Sequence, residues 1–190
     1  KERPVERAPS AGPRDRVLLE PEARARLAAA GIVVPAWRVA TMIAEARAGF
    51  AAVAGSGKAV LKLVSERAIH KSDVNAVLLD IGSADAAAEG YERLMSIARG
   101  LGDSEARVLV TGMIAKGTEC MVGARHDPQF GPVVLVGTGG VLVELTHDMA
   151  IRLAPFDAAA AAALIERTKL GRLLAGYRGS LPADQPALAD

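Results

Sequence analysis

A polar loop between two apolar runs holds the residues of this chain that could do chemistry. The stretch AVLKLVSERAIHKSDVNAVLLDIG, residues 59–82, places His70 and Lys71 in that loop and Lys62 in the run before it. A neutral imidazole is nucleophilic at physiological pH, and an ammonium group can neutralise phosphate charge. Spacing alone favours two simpler interpretations, a solvated loop histidine and a strand lysine directed at water.

Two glycine-rich motifs could also bind phosphate. Gly55–Lys58, GSGK, does not meet the phosphate-loop pattern, because Ala52 stands at the position of the first glycine and Ala59 at that of the magnesium-binding hydroxyl. This motif predicts a helix end and a turn. The motif GTGG at Gly137–Gly140 predicts a hairpin turn, or a place where backbone N–H groups approach an anion closely.

Composition limits the class of protein. The 190 residues carry a net charge of +1, which gives no case for a nucleic-acid partner. The single cysteine, Cys120, excludes an internal disulfide, and with three scattered histidines it makes no zinc pattern. No apolar run reaches the ~18 to 20 residues of a membrane span, and the charged start is unlike a signal peptide. We therefore expect a cytoplasmic protein that makes no membrane contact.

The elements that must position these residues are predicted in the order helix, helix, hairpin, helix and then a meander of strands. Helix signals are Pro21 in a first turn, Gly31 after a last turn, and the N-cap residues Ser83 and Asp157. Strand-like runs flank the histidine loop, and five more follow at short intervals: ARVLVTGMI, ECMVGAR, PVVLVG, VLVEL and MAIRLAP. Consecutive strands without helices between them predict antiparallel pairing, a meander and an α+β class.

Several motifs, taken in order, resemble one family. They are AAAGIVVP, VLKLVSERAIHKSDV, GTECMVGARHDPQFGPVVLVGTGGVLVEL, IRLAP and GYRG. They are similar to the ATP-grasp domain of the NDP-forming acyl-CoA synthetases, which are relatives of succinyl-CoA synthetase. The resemblance covers residues 17–190, and HDPQFGPVV followed by GTGG is its most specific part. Residues 1–16 show no periodic apolar face and are expected to form a linker or disordered arm.

The resemblance implies a fold and a reaction. The fold is α+β, with two small α/β lobes, largely antiparallel sheets and a nucleotide cleft between them. The reaction is acid + CoA + ATP ⇌ acyl-CoA + ADP + phosphate, through an acyl phosphate and a phosphohistidine. A CoA-binding half, in the same chain or as an α subunit, binds CoA and the carboxylic acid, and we expect an oligomer. His70 matches the histidine that carries phosphate in the ATP-grasp half, and Lys71 beside it could neutralise phosphate charge.

The resemblance also assigns nucleotide contacts. Lys62 matches the lysine that meets the nucleotide phosphates, and Glu119 matches the glutamate that reaches the ribose. The strand from Val108 to Met113, which contains the predicted contact residues Val110 and Met113, would supply the backbone hinge beside the adenine. The glycine pair of the phosphate region and two polar strand residues complete the set: Gly139, Gly140, Glu144 and Arg152. The implied cofactors are ATP or ADP and Mg²⁺.

The chain departs from the family pattern in two places. Asn75 and Ala76 replace two glycines of the histidine loop, and alanine does not adopt positive φ comfortably. We therefore expect a different or less mobile loop path. In the family, the segment after GYRG continues into strands whose polar residues hold magnesium, and Asp190 comes before them. We expect the metal ligands beyond residue 190 and little turnover by the chain as given.

Three functions compete at this point. The first is the ATP-grasp part of an ADP-forming acyl-CoA synthetase, which Lys62, His70, Glu119 and the glycine pair favour. The second is a non-catalytic nucleotide-binding or regulatory module, which Asn75 and Ala76 favour. The third is a sensor region fused to a protein acetyltransferase. The sequence does not reveal which acid would be used.

Overall fold

The computed structural model describes residues 17–55, 57–68, 75–140 and 147–190. The chain forms two compact units, a first that ends at Ile114 and a second over Ala115–Asp190. Several features named above lie outside the described residues: the arm 1–16, the run VLVEL, and the predicted site residues His70, Lys71 and Glu144.

The first unit begins with a helix whose ends follow the sequence signals. Pro21 lies in the first turn of α1, Glu20–Ala29, and Gly31 follows the last turn with a left-handed φ of +87°. Ser83 caps a later helix by accepting a hydrogen bond from Ala86 N, as predicted. The other elements are β1 Trp37–Ala40, α2 Ile43–Val53, β2 Ala59–Val64, β3 Val77–Ile81, α3 Ala84–Gly100 and β4 Arg107–Gly112.

The strands of the first unit form one antiparallel sheet in the order β1-β4-β2-β3. Strand β4 lies between β1 and β2, so that Leu109 pairs with Val39 on one side and Lys62 on the other. This corrects the expectation that ARVLVTGMI belongs to a meander with the strands that follow it. An antiparallel strand needs a partner in register, and that partner can be distant in sequence.

Helices α2 and α3 cover one face of this sheet. The buried cluster combines alternate strand residues with the apolar stripe of α3 that the sequence predicts: Leu61, Leu63, Val108, Val110, Ala87, Tyr91, Leu94 and Ala98. Gly90 lets α3 pack closely on the sheet, because a Cβ there would lie 3.0 Å from Leu61 Cδ2. Leu61 and Leu63 of β2 are therefore packed against the helices. Lys62 between them projects to the opposite face, together with the buried Val60 and Val64.

The second unit is a three-stranded antiparallel sheet with helices on one face. The strands, in the order β5-β6-β7, are Cys120–Asp127, Gly131–Thr138 and Met149–Leu153. The helices are α4 Ala158–Glu166, α5 Lys169–Leu174 and α6 Gln185–Ala189. Their shared core contains Val136, Ala150, Leu164, Ile165, Leu170 and Leu174. Within the described ranges, no helix combines the length and the hydropathy needed to cross a bilayer.

Side-chain caps fix the ends of the helices in this unit. Asp157 accepts a hydrogen bond from Ala160 N at 2.8 Å, as its sequence position predicts. The carboxylate of Asp148 accepts hydrogen bonds from the backbone N–H groups of Lys169 and Leu170, which ties the start of α5 to the segment before β7. Helices α5 and α6 have six and five residues, and no periodic pattern of that length predicts them.

The motif DPQFG forms the turn between β5 and β6. The carboxylate of Asp127 accepts hydrogen bonds from the backbone N–H groups of Gln129 and Phe130, and Gly131 has a φ of +82°. These N–H groups, more than the nearby Arg125, lower the pKa of Asp127 below its usual value. The stabilisation that this carboxylate contributes is present above its unfolded pKa and is lost as pH falls through its folded pKa.

The two residues that replace family glycines have ordinary roles in the backbone. Asn75 adopts a φ of +52°, a left-handed conformation that asparagine tolerates better than most residues. Ala76 has a negative φ and is fully buried, and its carbonyl accepts a hydrogen bond from Leu63 N at 2.9 Å. The expected conflict between Ala76 and a positive φ is therefore absent, because Ala76 directly precedes β3 and extends its ladder with β2 by one hydrogen bond.

These two positions are predicted to respond differently to glycine. Asn75→Gly should change the free energy of unfolding by less than about 0.5 kcal/mol, because the left-handed backbone accepts glycine. Ala76→Gly should lower it by about 1 to 2 kcal/mol, because a buried methyl group and strand rigidity are lost. Urea titration of both variants measures the difference, and equal effects would contradict the assignment of Ala76 to the ladder.

Candidate functional site

Lys62 is the charged residue of a strand that is otherwise buried. The other five residues of β2 are buried, whereas the Lys62 side chain is 27% exposed. It shares its sheet face with Leu109 and Thr111 of β4, because Lys62 pairs with Leu109 and side chains two residues apart lie on one face. A lysine in such a strand requires an anionic or polar partner, since a buried ammonium is costly without one.

Helix α1 supplies the partner. The Lys62 ammonium donates to Glu20 Oε1 at 2.8 Å, and the same oxygen accepts from Arg24 Nη2 at 2.9 Å and Nε at 3.2 Å. Arg24 Nη1 donates to Thr111 Oγ1 at 3.0 Å and to the carbonyl of Pro35 at 3.4 Å. Lys62 is therefore tied through two side chains of α1 to the end of β4.

The hinge strand predicted beside the adenine is β4 and the residues after it. The Val110 side chain is fully buried against α2 and α3. Its backbone lies in the central strand, opposite Arg38 of β1 and Leu61 of β2, so a contact of Val110 with adenine stays a prediction. Met113 lies beyond the strand with its side chain 38% exposed, and its N–H donates to the carbonyl of Lys58 at 2.9 Å. Thr111 between them donates its hydroxyl to the carbonyl of Ala36. Lys62, Val110 and Met113 thus belong to one sheet region.

Glu119 and the glycine pair meet in the second unit. The N–H of Gly139 donates to the carbonyl of Glu119 at 2.7 Å, which pairs the end of β6 with the start of β5. A Cβ on Gly139 would lie 2.8 Å from the carbonyl carbon of Cys120, and one on Gly140 would collide with the Glu119 carboxylate. Gly140 also has a φ of +67°. The space that side chains at these positions would need is thus occupied by the Glu119 carboxylate and the Cys120 backbone, which requires glycine at both.

Arg152 does not join this group. It pairs with Val134 in the β6–β7 ladder, whereas the glycine pair follows the far end of β6. Its guanidinium lies 5.7 Å from the centre of the Phe156 ring, a cation–π contact. The sequence assignment of Arg152 to the nucleotide stays a prediction, and the described contacts give it a packing role as well.

The donors fit a nucleotide better than a bare metal ion. Phosphate oxygens accept hydrogen bonds from ammonium groups and from backbone N–H groups near glycines. Ribose hydroxyls donate hydrogen bonds to a carboxylate. Among the described residues, no group of three or more histidine, cysteine or carboxylate side chains could hold a metal ion. Each unit, taken by itself, therefore carries groups of types that a nucleotide requires, and their contact with ATP or ADP stays a prediction.

Comparison with known proteins agrees with the motifs and the fold. The family model described as an ATP-grasp domain matches residues 10–190. The β subunit of an ADP-forming acetate–CoA ligase I from Pyrococcus furiosus is 38% identical over 93% of this chain and 76% of its own length. The ADP-forming acetate–CoA ligase I of Archaeoglobus fulgidus is 39% identical over 86% of this chain, which spans 24% of that longer protein.

Solved structures give the same result. The dinucleotide-forming acetyl-coenzyme A synthetase 1 of Ca. Korarchaeum cryptofilum, in complex with coenzyme A, Ca-AMPCP and HgCl⁺, matches with a TM-score of 0.83 and 35% identity. That match covers 90% of this chain and 76% of the other. The chain therefore belongs to the ATP-grasp family, among the β subunits and corresponding regions of the ADP-forming acetate–CoA ligases, and its α+β fold is the ATP-grasp fold.

Glu20 and Arg24 are site neighbours that sequence reasoning missed. Their spacing of four residues on α1 signals only a helix ion pair. Nothing in that spacing shows that the pair reaches Lys62, 42 residues away from Glu20, or Thr111, 87 residues away from Arg24. Such long-range contacts depend on how α1 lies on the sheet, which local patterns do not encode.

We predict that Gly139→Ala destabilises the protein. Its Cβ would meet the backbone of Cys120, which cannot move without separating β5 from β6, so the free energy of unfolding should fall by about 1 to 3 kcal/mol. Gly117→Ala is the matched control, because the corresponding Cβ meets no atom within 4 Å and the residue has no positive φ. Denaturant titration of both variants checks this, and equal stability would show that the close approach imposes no constraint.

Proposed function

We propose that this chain is the ATP-grasp part of an ADP-forming acid–CoA ligase and exchanges a phosphoryl group with ATP. The observation that carries the proposal is Lys62, a charged residue kept in a buried strand beside the hinge strand. The family membership supports it, since the related proteins bear the name of ADP-forming acetate–CoA ligases. A fused arrangement or a separate α subunit supplies the CoA-binding half, which binds CoA and the carboxylic acid.

Each described residue has a role that its chemistry permits. Lys62 donates to the nucleotide phosphates, and Glu119 accepts hydrogen bonds from the ribose hydroxyls. The backbone from Val110 to Met113 contacts the adenine. The backbone at Gly139 and Gly140 contacts the phosphates, and Arg152, Lys71 and Glu144 are further nucleotide contacts in this proposal. Bound Mg²⁺ would supply neutralisation of phosphate charge, and we expect its protein ligands beyond residue 190.

His70 is the proposed phosphoryl carrier. A ring nitrogen attacks the γ-phosphorus of ATP, the P–N bond forms as the bond to the ADP oxygen breaks, and ADP leaves with that electron pair. The carrier then passes the phosphoryl group to the CoA-binding half. A second solved structure of the Korarchaeum synthetase supports this role, because it is described with its phosphohistidine segment pointing towards the nucleotide binding site. It matches this chain with a TM-score of 0.75 and 33% identity, over 90% of this chain and 74% of the other.

The competing proposal of a non-catalytic module has lost part of its basis. It depended on Ala76 disturbing the histidine loop, and Ala76 lies in the β2–β3 ladder without a positive φ. The arrangement as an oligomer in the cytoplasm, without nucleic-acid or membrane partners, belongs to our proposal for the complete protein.

Two substitutions are predicted to separate the carrier from the nucleotide contact. In the assembled ligase, His70→Ala should abolish acyl-CoA synthesis while leaving ADP affinity nearly unchanged. Lys62→Ala should weaken ADP binding by about 10- to 150-fold, because it removes a charge-assisted contact of roughly 1.5 to 3 kcal/mol. Calorimetric titration of ADP and a coupled synthesis assay measure both effects, and ATP should label His70 with an acid-labile, base-stable phosphate.

Matched controls come from the same chain. His126→Ala removes an exposed histidine of β5, and Lys58→Ala removes an exposed lysine that pairs with Asp80 at 2.8 Å. Both controls should retain synthesis and ADP affinity. Full synthesis by His70→Ala would remove the carrier role, and unchanged ADP affinity in Lys62→Ala would remove the phosphate contact. Binding of ADP without any phosphohistidine in the wild-type protein would favour the non-catalytic module.

A further inference from the structure

We infer that Glu20 and Arg24 are positioning residues, which hold the Lys62 ammonium in place for the phosphoryl group that it contacts. The inference rests on the proposed function and adds that two side chains of α1 orient the Lys62 side chain of β2. Its basis is the three-residue cluster in which one carboxylate oxygen of Glu20 accepts from both cations.

The Glu20 carboxylate is itself held rigidly. Arg24 donates two N–H groups to one oxygen of Glu20, and its third nitrogen donates to Thr111 and to the carbonyl of Pro35. Thr111 is 3% exposed and donates onward to the carbonyl of Ala36. The planar guanidinium thus fixes the carboxylate relative to β4. The acceptor of the Lys62 hydrogen bond, Glu20 Oε1, is therefore constrained by its contacts with Arg24.

Burial distinguishes this cluster from the other ion pairs of the described residues. Lys62, Glu20 and Arg24 have side chains 27%, 23% and 13% exposed. The pairs of Arg47 with Asp85 and Lys58 with Asp80 have both side chains about half exposed or more. In the pair of Arg125 with Asp127 the aspartate is 22% exposed but the arginine is 67% exposed, so within the described part of the chain only the Lys62 cluster has every member partly buried. Exposed pairs constrain their side chains weakly, whereas partly buried and shared ones constrain them strongly.

The charge of the cluster leaves it able to attract a phosphate. One carboxylate and two cations sum to +1, so the cluster is not neutralised by its internal contacts. An ammonium has three N–H donors, and the contact with Glu20 uses one of them. Glu20 therefore orients Lys62 while leaving donors for an anion, and Arg24 preserves the positive charge that a lone Glu20–Lys62 pair would cancel.

Correct placement matters more for phosphoryl transfer than for binding. Transfer depends on positioned charges around the moving phosphoryl group, and a misplacement of about 1 Å can cost on the order of 100-fold in rate. Binding responds mainly to the summed charge, which rises from +1 to +2 when Glu20 becomes neutral. Loss of the Glu20 charge should therefore lower the rate of phosphoryl transfer without weakening nucleotide binding.

The test is Glu20→Gln in the assembled ligase. We expect kcat of acyl-CoA synthesis to fall about tenfold, while the Kd for ADP stays within about threefold of the wild type or becomes tighter. Arg24→Lys, which keeps the charge but loses the forked contact, should also lower kcat. Glu92→Gln, the same substitution at an exposed position of α3, is the control and should leave kcat and Kd unchanged.

A nucleotide-free measurement keeps the inference separable from the proposed function. An amine-reactive reagent followed by mass spectrometry should modify Lys62 several-fold faster in Glu20→Gln than in the wild type, because the ammonium is no longer held. An unchanged modification rate would overturn the positioning role even if the ligase activity is confirmed. A rise in kcat, or equal losses in kcat and ADP affinity, would also overturn it. A wild-type protein that neither binds ADP nor supports synthesis would instead refute the proposed function.

Discussion

The first unit is organised around one electrostatic constraint, a lysine ammonium placed in a strand that the fold otherwise buries. Strand β2 can be packed by α2 and α3 on one face only if Lys62 projects to the other, and there a counter-charge is required. Glu20 supplies it from α1, and Arg24 links that carboxylate to the end of β4. The position of α1 on the sheet and the geometry of the candidate site are thus aspects of the same set of contacts.

The second unit meets a different constraint, which is steric. Its glycine pair brings the end of β6 against the start of β5, and the Glu119 carboxylate occupies the space beside Gly140. The Glu119 carboxylate fits at this position because Gly140 has no side chain, and no counter-charge is needed to hold it there. The nucleotide contacts that we propose for these residues require both kinds of group, because phosphates need fixed cations and a ribose needs a hydrogen-bond acceptor.

Local signals in the sequence predicted the elements but not their long-range partners. Pro21, Gly31, Ser83 and Asp157 marked helix ends correctly, since capping depends on residues a few positions apart. The pairing of β4 with β1 and β2 was missed, because alternation shows that a strand exists and not which strand lies beside it. Local patterns do not predict the Glu20–Lys62 contact for the same reason. The expected effect of Ala76 on the histidine loop also depends on a long-range contact, the hydrogen bond that its carbonyl accepts from Leu63 N.

The central claim is that this chain takes a phosphoryl group from ATP onto its own histidine before CoA or an acid is involved. Isotope exchange between labelled ADP and unlabelled ATP tests it most directly, with the assembled protein, Mg²⁺ and neither CoA nor acid present. A carrier histidine makes transfer reversible, because an oxygen of labelled ADP can attack the phosphorus and release the imidazole. The account predicts that label moves from ADP into ATP under these conditions. Exchange that requires both CoA and the acid, in a protein that binds ADP normally, would contradict it.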